Sequence, residues 1–412
     1  MAKRQRQLNV VLGDRTVATL SERRGKLELK YADWVLDELR GQRVLSCSLP
    51  VTAGADDARN FFDGVLPEGD FRDRIASRAG VVASDTFSLL ARYGRDIAGA
   101  LTVEDPEDEG ASSRPGVVGL SDADLRDEVE ALPSRPLGIR DDSELSIAGL
   151  QNKLLLVRGK DGWARPVGGA PSTHILKLDS QAHRGVVRAE AAIMQLARIV
   201  GLTSVEVDVL QIGEMDCIIV ERFDRIRSDS DGTVERVHQE DMCQALGLPP
   251  TQKYELPGRG RKQHGGGPEF SQVAALLDRH SSDPVADLCT LARVAAFTAI
   301  TGNSDAHGKN LALLYDANHR VRLAPLYDTV PTILFPRLKD QAAMTIGGAV
   351  DLALVGKRTL ATEARHWNVD PEQMVSEAES LANLVLENAA KIDDFPGVRD
   401  LVTSRAKAFL AS

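Results

Sequence analysis

The pattern of hydrophobic and polar positions divides this chain into stretches with different periods. Near the N-terminus, apolar and polar residues alternate between turn signals, which predicts short antiparallel strands at Leu8–Leu12, Thr16–Leu20 and Lys26–Lys30. Residues 59–100 change to helical spacing, so a small set of helices is predicted to follow these strands. An acidic stretch rich in Gly, Ser and Pro, residues 104–115, then predicts a linker or flexible loop.

The middle of the chain returns to strand-like segments, with one clear helix among them. The predicted strands are Lys153–Val157, His174–Leu178, Val205–Ile212 and Cys217–Glu221. Between the second and the third of them, residues 187–201 place apolar side chains at helical spacing and end in a glycine, which predicts an amphipathic helix. This order, in which one helix interrupts a series of strands, is expected for the small lobe of a kinase.

Beyond His238 the pattern becomes mostly helical. Residues 285–300 predict a long apolar helix that ends just before a polar loop, and two short strands, Leu311–Leu314 and Val321–Ala324, follow that loop. Residues 360–411 predict three further helices. This part of the chain is therefore expected to form a mainly helical second lobe.

Composition narrows the functional classes that this chain can serve. At 412 residues and 43% hydrophobic content it can form two or three domains with a sizeable core. A net charge of −10 argues against strong nucleic-acid binding by the chain alone, and 4% aromatic residues argue against a base-stacking platform. The four cysteines have neither zinc nor redox spacing, and no apolar run reaches the ~20 residues of a membrane span, so a cytoplasmic protein is predicted.

The most informative segment is residues 301–310, Thr-Gly-Asn-Ser-Asp-Ala-His-Gly-Lys-Asn, followed by Pro-Leu-Tyr-Asp-Thr at 325–329. Asp305 and Asn310 stand five positions apart, and Asp328 follows later. This is the order of parts in a kinase active site, where one carboxylate accepts the proton of a substrate hydroxyl while an amide and a second carboxylate hold Mg²⁺ on the phosphates of ATP. Asp305 is therefore the candidate base, and Asn310 and Asp328 are the candidate metal ligands.

Lys177 lies in a predicted strand between apolar neighbours. In a kinase, a lysine on a rigid strand places a positive charge on the ATP phosphates, which makes Lys177 a candidate catalytic and nucleotide-binding residue. Glu190 opens the following helix and is the candidate ion-pair partner of Lys177. The alternatives are a solvated strand lysine, and a glutamate that simply favours the first turn of a helix.

Two further segments are candidates for nucleotide contacts. Residues 221–224, Glu-Arg-Phe-Asp, end the last small-lobe strand and are predicted to form the hinge, where Glu221 would meet adenine and Phe223 would cover it, although an aromatic at a strand end is more often a core residue. Residues 146–153, Ser-Ile-Ala-Gly-Leu-Gln-Asn-Lys, are not a Walker A sequence but could bring backbone N–H groups and a lysine to the phosphates. The candidate phosphate contacts there are Ala148, Gly149, Gln151, Asn152 and Lys153.

Two residues inside the 301–310 segment have less certain roles. No other histidine has metal-ligand spacing to His307, so a hydrogen bond that braces the loop is the favoured interpretation. Lys309 could touch the transferred phosphoryl group or face solvent. Both residues are kept as candidates for the nucleotide site.

Seven short segments, in this order along the chain, together resemble the HipA family, the kinase toxins of bacterial toxin–antitoxin systems. They are Ser146–Lys153, Thr173–Lys177, Glu221–Asp224, His238–Gly247, Gly302–Asn310, Leu323–Asp328 and Ile346–Gly348. The N-terminal strands and Asn60–Glu68 also look like the small capping subdomain of that family. The resemblance implies an α+β, two-lobed protein-kinase-like fold with an extra N-terminal β-rich capping subdomain and an all-helical C-terminal lobe. The expected divisions are residues 1–110, 111–235 and 236–412.

The resemblance also carries expectations about function. It implies a serine/threonine protein kinase that uses ATP and Mg²⁺ and phosphorylates an aminoacyl-tRNA synthetase. It implies a HipB-like helix-turn-helix antitoxin as partner, which inhibits the kinase and contacts operator DNA, with this chain as co-repressor. In the family, autophosphorylation of the serine at the head of the phosphate loop expels that loop and silences the enzyme, and this serine corresponds to Ser146.

Departures from the family pattern leave rival interpretations open. Asn152 stands where the family often has an acid and Leu150 where it often has a small residue. The loop at Pro249–Pro268, where a substrate would dock, is longer than usual. A lipid or small-molecule kinase shares the Asp-to-Asn spacing, but the capping subdomain and the Ser146 loop favour the toxin family. A catalytically inert co-repressor is the other rival, and the full set of candidate catalytic residues speaks against it.

Overall fold

The computed structural model describes residues 6–23, 25–107, 115–132, 153–160, 162–179, 183–228, 230, 232–255, 266–336, 338, 340–392 and 395–412. Within these ranges the chain forms an N-terminal subdomain, a sheet-based small lobe and a mainly helical large lobe. The phosphate loop before Lys153 and the middle of the loop at 249–268 lie outside the described residues. Part of the predicted linker at 104–115 also lies outside them.

The N-terminal subdomain is an antiparallel sheet packed against helices. Its strands are β1 (Gln7–Leu12), β2 (Arg15–Arg23), β3 (Lys26–Tyr31), β4 (Asp56–Asp57) and β5 (Leu101–Glu104), in the order β4-β3-β2-β1-β5, and its helices are α1 (Asp33–Glu38), α2 (Arg59–Val65), α3 (Gly69–Ala79) and α4 (Thr86–Tyr93). In β3 the alternate residues Leu27, Leu29 and Tyr31 are buried, because successive side chains of a strand point to opposite faces. The three strands and the helical set predicted for this region are confirmed.

The small lobe is a six-stranded sheet with a helix on each face. Its elements are β6 (Gly116–Gly119), α5 (Asp122–Ala131), β7 (Lys153–Arg158), β8 (Trp163–Val167), β9 (His174–Leu178), α6 (Val186–Ile199), β10 (Val207–Ile212) and β11 (Met215–Glu221), with strand order β10-β11-β9-β7-β8-β6. Leu125 and Val129 of α5 pack on one face, while Ala191 and Met194 of α6 pack on the other. The four predicted strands and the predicted helix are confirmed.

Three elements of this lobe were not predicted from the sequence. Strand β8 is short and contains Pro166, which weakens a strand signal, and β6 consists of two valines between two glycines. Helix α5 is mostly charged, and its buried face consists of only a few side chains. Each element is held by its neighbours in the sheet or core more than by its own pattern.

The large lobe is built mainly from helices around α9. Its elements are β12 (Arg225–Arg227), β13 (Val234–Arg236), β14 (His238–Asp241), α7 (Met242–Ala245), α8 (Phe270–His280), α9 (Pro284–Thr301), β15 (Ala312–Tyr315), β16 (Val321–Leu323), α10 (Lys357–Ala364), α11 (Pro371–Asn388) and α12 (Val398–Ala411). The lobe is not entirely helical, because β14, β15 and β16 form a small antiparallel sheet, of which two strands were predicted.

Helix α9 positions the polar loop of the large lobe, residues 303–310, which follows directly after it. The Asp283 side chain accepts the N–H of Ala286 and Pro284 occupies the first turn, so the start of the helix is fixed. By length and composition α9 could cross a membrane, but 67% of it is buried within the protein, as in a core helix. It ends at Gly302, which has φ of +64°, and a Cβ there would lie 2.4 Å from the Ile333 side chain, so this sharp exit needs glycine.

A cluster of buried charges joins the N-terminal subdomain to the end of β11. This junction cluster consists of Asp96, Arg222, Asp224 and Arg225, all of them buried. Asp96 accepts a hydrogen bond from Arg225 at 2.8 Å, and Asp224 accepts one from Arg222 at 2.9 Å and one from the backbone N–H of Gly99 at 2.7 Å. The segment predicted as a hinge therefore also fastens the subdomain to the kinase-like body.

A second buried contact joins the same subdomain to the small sheet of the large lobe. The Glu240 carboxylate accepts hydrogen bonds from the Ser46 hydroxyl at 2.5 Å, from the Cys47 N–H at 2.9 Å and from the Tyr315 hydroxyl. Burial raises the pKa of Glu240 to about 7, although these donors lower it. The N-terminal subdomain is thus attached to both lobes.

Candidate active site

Lys177 and Glu190 form the ion pair that the sequence predicted. The Lys177 Nζ atom lies 2.7 Å from a carboxylate oxygen of Glu190 and 2.5 Å from one of Asp328. Burial favours the neutral lysine, but these two carboxylates outweigh it and raise the pKa of Lys177. A side chain from β9, one from α6 and one from the large lobe therefore meet at a single ammonium group.

The start of α6 is fixed by a residue that the sequence analysis did not single out. Asp179, just after β9, accepts the backbone N–H of Val187 at 2.9 Å and that of Gly185. A carboxylate at a helix N-terminus satisfies otherwise unpaired N–H groups and favours the helix dipole. This contact ties the start of α6 to the strand that carries Lys177, so Glu190 and Lys177 are positioned together.

Lys153 lies beside Lys177 across the sheet. Strands β7 and β9 pair so that Lys153 is directly opposite Lys177, and both side chains are buried. Burial and the positive charge of Lys177 lower the pKa of Lys153 to about 8. Two adjacent lysines on rigid strands would be stabilised by the negative charge of phosphate groups, which fits the predicted role of Lys153.

The catalytic-loop candidate, residues 303–310, is held by its own backbone and side chains. The Asn303 side chain accepts the N–H of Asp305 at 3.2 Å, and the Asn310 side-chain amide donates to the Asp305 carbonyl at 3.1 Å. The Thr332 hydroxyl accepts the N–H of Ser304 at 2.8 Å. The amide of Asn310 and the backbone of Asp305 are thereby joined within one short loop.

The carboxylate of Asp305 is half-buried and accepts a hydrogen bond from the Tyr254 hydroxyl at 3.0 Å. Tyr254 is buried, and its ring also meets the edge of His307, with ring centroids 5.2 Å apart. The sequence analysis did not identify Tyr254, because nothing in the sequence places it next to a loop fifty positions later. The structure therefore adds a residue that orients the candidate base.

Asp328 has an unusual backbone conformation. Its φ is +53°, in the left-handed region that few residues with a side chain adopt, although aspartate tolerates it better than most. Burial would raise its pKa, but the ion pair with Lys177 lowers it, so the group is ionised. Its side chain keeps 39% of its surface exposed, which leaves the carboxylate accessible as well as charged.

The segments that carry Asn310 and Asp328 contact each other, since the Tyr327 hydroxyl donates to the Lys309 carbonyl at 2.7 Å. In the described ranges, no group of three or more His, Cys, Asp and Glu side chains could hold a metal by itself. One carboxylate and one amide fit Mg²⁺, because this ion takes oxygen ligands and commonly completes its shell with substrate phosphates and water.

The structure gives Lys309 a different role from either predicted one. Its ammonium group donates to the Asp241 carboxylate at 2.7 Å and to the Gly64 carbonyl at 2.9 Å. The residue is buried, with only 8% of its surface exposed. The prediction that Lys309 faces solvent is wrong. A lysine committed to these two partners holds the loop against helix α2 instead of reaching the phosphoryl group.

His307 is buried, and the predicted bracing hydrogen bond is not made by its Nδ1 atom, which has no partner among the described residues. Burial and the ammonium group of Lys253 hold its pKa well below the usual value, so the ring is neutral. His307 supports the loop through its ring contact with Tyr254. The predicted place of this residue within the loop is reproduced, and its predicted hydrogen bond stays a prediction.

The predicted hinge residues lie on different faces of the sheet. Glu221 pairs with His174 and alternates with Val220, so its side chain points away from the face that carries Lys177. It lines a cavity of about 490 Å³ on that outer face, together with Trp163. The Glu221 side chain therefore lies on the face of the sheet opposite to Lys177, and its N–H donates to the Glu206 carbonyl at 2.9 Å.

Phe223 is half-buried, and its ring centroid lies 5.0 Å from that of Tyr327. It packs against the cluster formed by α6 and β11, and its predicted contact with adenine stays a prediction. The remaining candidates for the phosphate loop lie outside the described residues and stay predictions: Ser146, Ala148, Gly149, Gln151 and Asn152.

These features define a two-lobed, protein-kinase-like protein with an added N-terminal subdomain. The small lobe carries the lysine–glutamate pair, and the helical large lobe carries the loop at 303–310. Residues 8–104 match the HipA N-terminal domain, and residues 145–390 match the HipA-like C-terminal domain. These two matches span most of the sequence. The chain belongs to the HipA family of kinases.

Individual relatives agree with this assignment. The chain is 39% identical to the putative kinase Y4mE of Sinorhizobium fredii over 376 residues, which covers 87% of this chain and 86% of the relative. It is 31% identical to the serine/threonine-protein kinase toxin HipA of Shewanella oneidensis over 318 residues, or 74% of this chain and 71% of the relative.

A solved structure confirms the fold. The HipA chain in a Shewanella oneidensis complex of HipA, HipB and operator DNA superimposes with a TM-score of 0.82 at 26% sequence identity. The superposition covers 98% of this chain and 96% of that one. The predicted α+β, two-lobed fold with its N-terminal subdomain is therefore confirmed.

Proposed function

We propose that this chain is an ATP- and Mg²⁺-dependent serine/threonine protein kinase. The observation that carries the proposal is the Lys177 ammonium group held between Glu190 and Asp328, beside a loop that presents Asp305 and Asn310. Protein kinases need this lysine–glutamate pair, a metal-binding aspartate and a base-to-asparagine loop in one place. Membership in a family of kinases supports the same interpretation.

In the proposed reaction, Asp305 accepts the proton of a serine or threonine hydroxyl. The hydroxyl oxygen forms a bond to the γ-phosphorus of ATP while the bond between that phosphorus and the bridging β–γ oxygen breaks, so ADP leaves. Lys177 and Lys153 hold the phosphates, and Asn310 and Asp328 would hold Mg²⁺, which neutralises the phosphate charge when bound. Positioning and electrostatics supply most of the rate enhancement.

The biological role is proposed from the relatives. One relative is a kinase toxin, and a solved relative is bound to HipB and operator DNA. We infer that this chain is the cytoplasmic toxin of a toxin–antitoxin pair, that a HipB-like helix-turn-helix antitoxin binds it, and that it acts as co-repressor. Operator DNA would be contacted mainly through the antitoxin, since this chain carries a net charge of −10.

The proposed substrate is an aminoacyl-tRNA synthetase, whose phosphorylation would halt translation. We also propose that phosphorylation of Ser146 silences the enzyme. The phosphate-loop residues proposed to contact ATP are Ala148, Gly149, Gln151 and Asn152. These parts come from the family resemblance.

Mass spectrometry tests the catalytic part directly. The protein is treated with phosphatase, repurified, incubated with Mg-ATP and digested, with Asp305→Asn treated in parallel. We expect one added phosphate on Ser146 in the wild type and none in the variant, while calorimetry finds the same ATP affinity in both. A general base contributes about 10²–10⁴-fold to the rate, so equal phosphate incorporation in the two proteins would remove Asp305 from the mechanism.

A further inference from the structure

A carboxylate from the N-terminal subdomain reaches the loop that carries the candidate base. Glu68 lies just before helix α3, and its Oε2 atom is 3.1 Å from the Nζ atom of Lys253. Its Oε1 atom is 4.0 Å from the Nζ atom of Lys309. Both lysines are buried in a region with little water, so Glu68 contributes negative charge near both ammonium groups, while Asp241 pairs with Lys309 at 2.7 Å.

Both lysines are connected to the second half of the catalytic loop, at the neighbouring residues Gly308 and Lys309. The Lys253 carbonyl accepts the N–H of Gly308 at 3.0 Å, which joins its backbone to the middle of the loop. The Lys309 ammonium group ties the far end of the loop to the Gly64 carbonyl at 2.9 Å, four residues before Glu68. The same short segment of the N-terminal subdomain therefore holds the loop at two points.

Lys253 is also connected to the candidate base, Asp305, through the next residue. Its neighbour Tyr254 donates a hydrogen bond to the Asp305 carboxylate at 3.0 Å and packs against His307. The Tyr254 carbonyl accepts the N–H of Gly267 at 3.0 Å, so this short segment is held on its other side as well. A shift of Lys253 would move Tyr254, and with it the oxygen atom that orients Asp305.

We propose that Glu68 is a positioning residue for the catalytic base, acting through Lys253, Tyr254 and Lys309, so that the N-terminal subdomain is part of the catalytic machinery. This inference rests on the proposed kinase function for the role of Asp305. Glu68 need not touch the nucleotide or the accepting hydroxyl. Its charge holds two lysines whose mutual repulsion would otherwise push the loop away from its place.

The physical consequence is a loss of rate without a loss of nucleotide binding. In Glu68→Gln, Lys309 keeps the Asp241 carboxylate, while Lys253 loses its ion pair with Glu68. A misplacement of a catalytic group by ~1 Å can cost ~10²-fold in rate. The cluster of Lys177, Glu190 and Asp328 is not part of this path, so the affinity for ATP should remain.

The experiment uses the full chain and the single-turnover rate of phosphate incorporation at saturating Mg-ATP. We expect Glu68→Gln to lower this rate about 30-fold, with less than about 3-fold change in the half-saturating ATP concentration. Tyr254→Phe keeps the ring and removes only the hydroxyl, and should cost about 10-fold. If the two residues act along one path, the double variant loses clearly less than the product of the two single losses.

A matched control is Asp70→Asn, two positions further on in the exposed first turn of α3, which should keep the wild-type rate. Amide hydrogen exchange over residues 303–311 adds a measurement that needs no catalysis. We expect faster exchange there in Glu68→Gln and wild-type exchange in Asp70→Asn.

The outcomes separate this inference from the proposed function. A wild-type rate and wild-type loop exchange in Glu68→Gln would overturn the positioning role, even if Asp305→Asn proved inactive and the kinase assignment stood. A lowered melting temperature with unchanged rate per folded molecule and unchanged exchange would also overturn it. If the wild-type protein transferred no phosphate, the proposed function would fail, and the exchange data alone would decide whether Glu68 holds the loop.

Discussion

The two groups of buried charges in this protein differ in how completely they are enclosed. In the junction cluster, the side chains of Asp96, Arg222, Asp224 and Arg225 are at most 3% exposed. Both carboxylates there accept hydrogen bonds on both oxygens. In the active-site cluster, formed by Lys177, Glu190 and Asp328, the last carboxylate keeps 39% of its side chain exposed.

This difference separates a structural cluster from a functional one. The two aspartates and two arginines of the junction cluster pair with one another, and Asp96 also lies 3.8 Å from Arg236, so these charges hold two parts of the chain together. Asp328 has one oxygen on Lys177 and an accessible surface besides. Sequence alone would rank both clusters equally, since each consists of ordinary charged residues.

The largest expected effect concerns the stability of the junction cluster. Asp96→Asn leaves Arg222 and Arg225 buried with only Asp224 as a carboxylate partner, and breaking a buried ion pair in this way costs about 3–5 kcal/mol. Urea unfolding should show this loss, whereas Glu206→Gln, which removes an exposed pair with Arg198, should cost about 0.2–1 kcal/mol. Similar values for both variants would show that the junction cluster does not hold the subdomain.

The next effect concerns binding at the active-site cluster. Asp328→Asn removes the accessible carboxylate but leaves Glu190 on Lys177, so we expect about 100-fold weaker Mg-ATP binding by calorimetry and less than about 1 kcal/mol change in unfolding free energy. The same titration without Mg²⁺ is the control, and there the two proteins should differ much less. A large loss of stability with unchanged Mg-ATP affinity would reverse the functional interpretation of this cluster.

The smallest expected effect concerns Glu240, a buried acid with no ion-pair partner among the residues that the structure describes. The pKa of Glu240 is raised from 4.5 to about 7, so near pH 6 the folded protein holds a proton that the unfolded chain releases. Its stabilising contribution is complete below pH 4.5 and is lost as the pH rises through 7. Between pH 6 and pH 8, the unfolding free energy of the wild type should fall by about 1 kcal/mol relative to Glu240→Gln. Parallel stability curves for the two proteins would show that the carboxyl group does not titrate in this range.

Much of the fold could be predicted because many strands and helices have a clear local period of hydrophobic and polar residues. The strand at Lys26–Tyr31 and the helix at Pro284–Thr301 have strong patterns and were found within one or two residues of their ends. Strand β8 and helix α5 were missed because their short, polar sequences depend on neighbours in the sheet and core.

In the candidate site, too, features that depend on local spacing were predicted, and features that depend on distant contacts were not. Asp305 and Asn310 were predicted to share a loop, and their spacing is a local property that the structure reproduces. Lys309 was misjudged because its partners, Gly64 and Asp241, are far away in the sequence. Tyr254 and Glu68 were overlooked for the same reason.

The sequence by itself determined the order of the strongly periodic strands and helices, the family, and which polar residues stand at kinase-like spacings. Only the tertiary structure decided which charges are enclosed and which remain accessible, and it placed Glu68 of the N-terminal subdomain beside the loop of Asp305. The physical reason is that periodicity and turn chemistry act over a few residues, whereas burial and ion pairing depend on groups that folding brings together from distant parts of the chain.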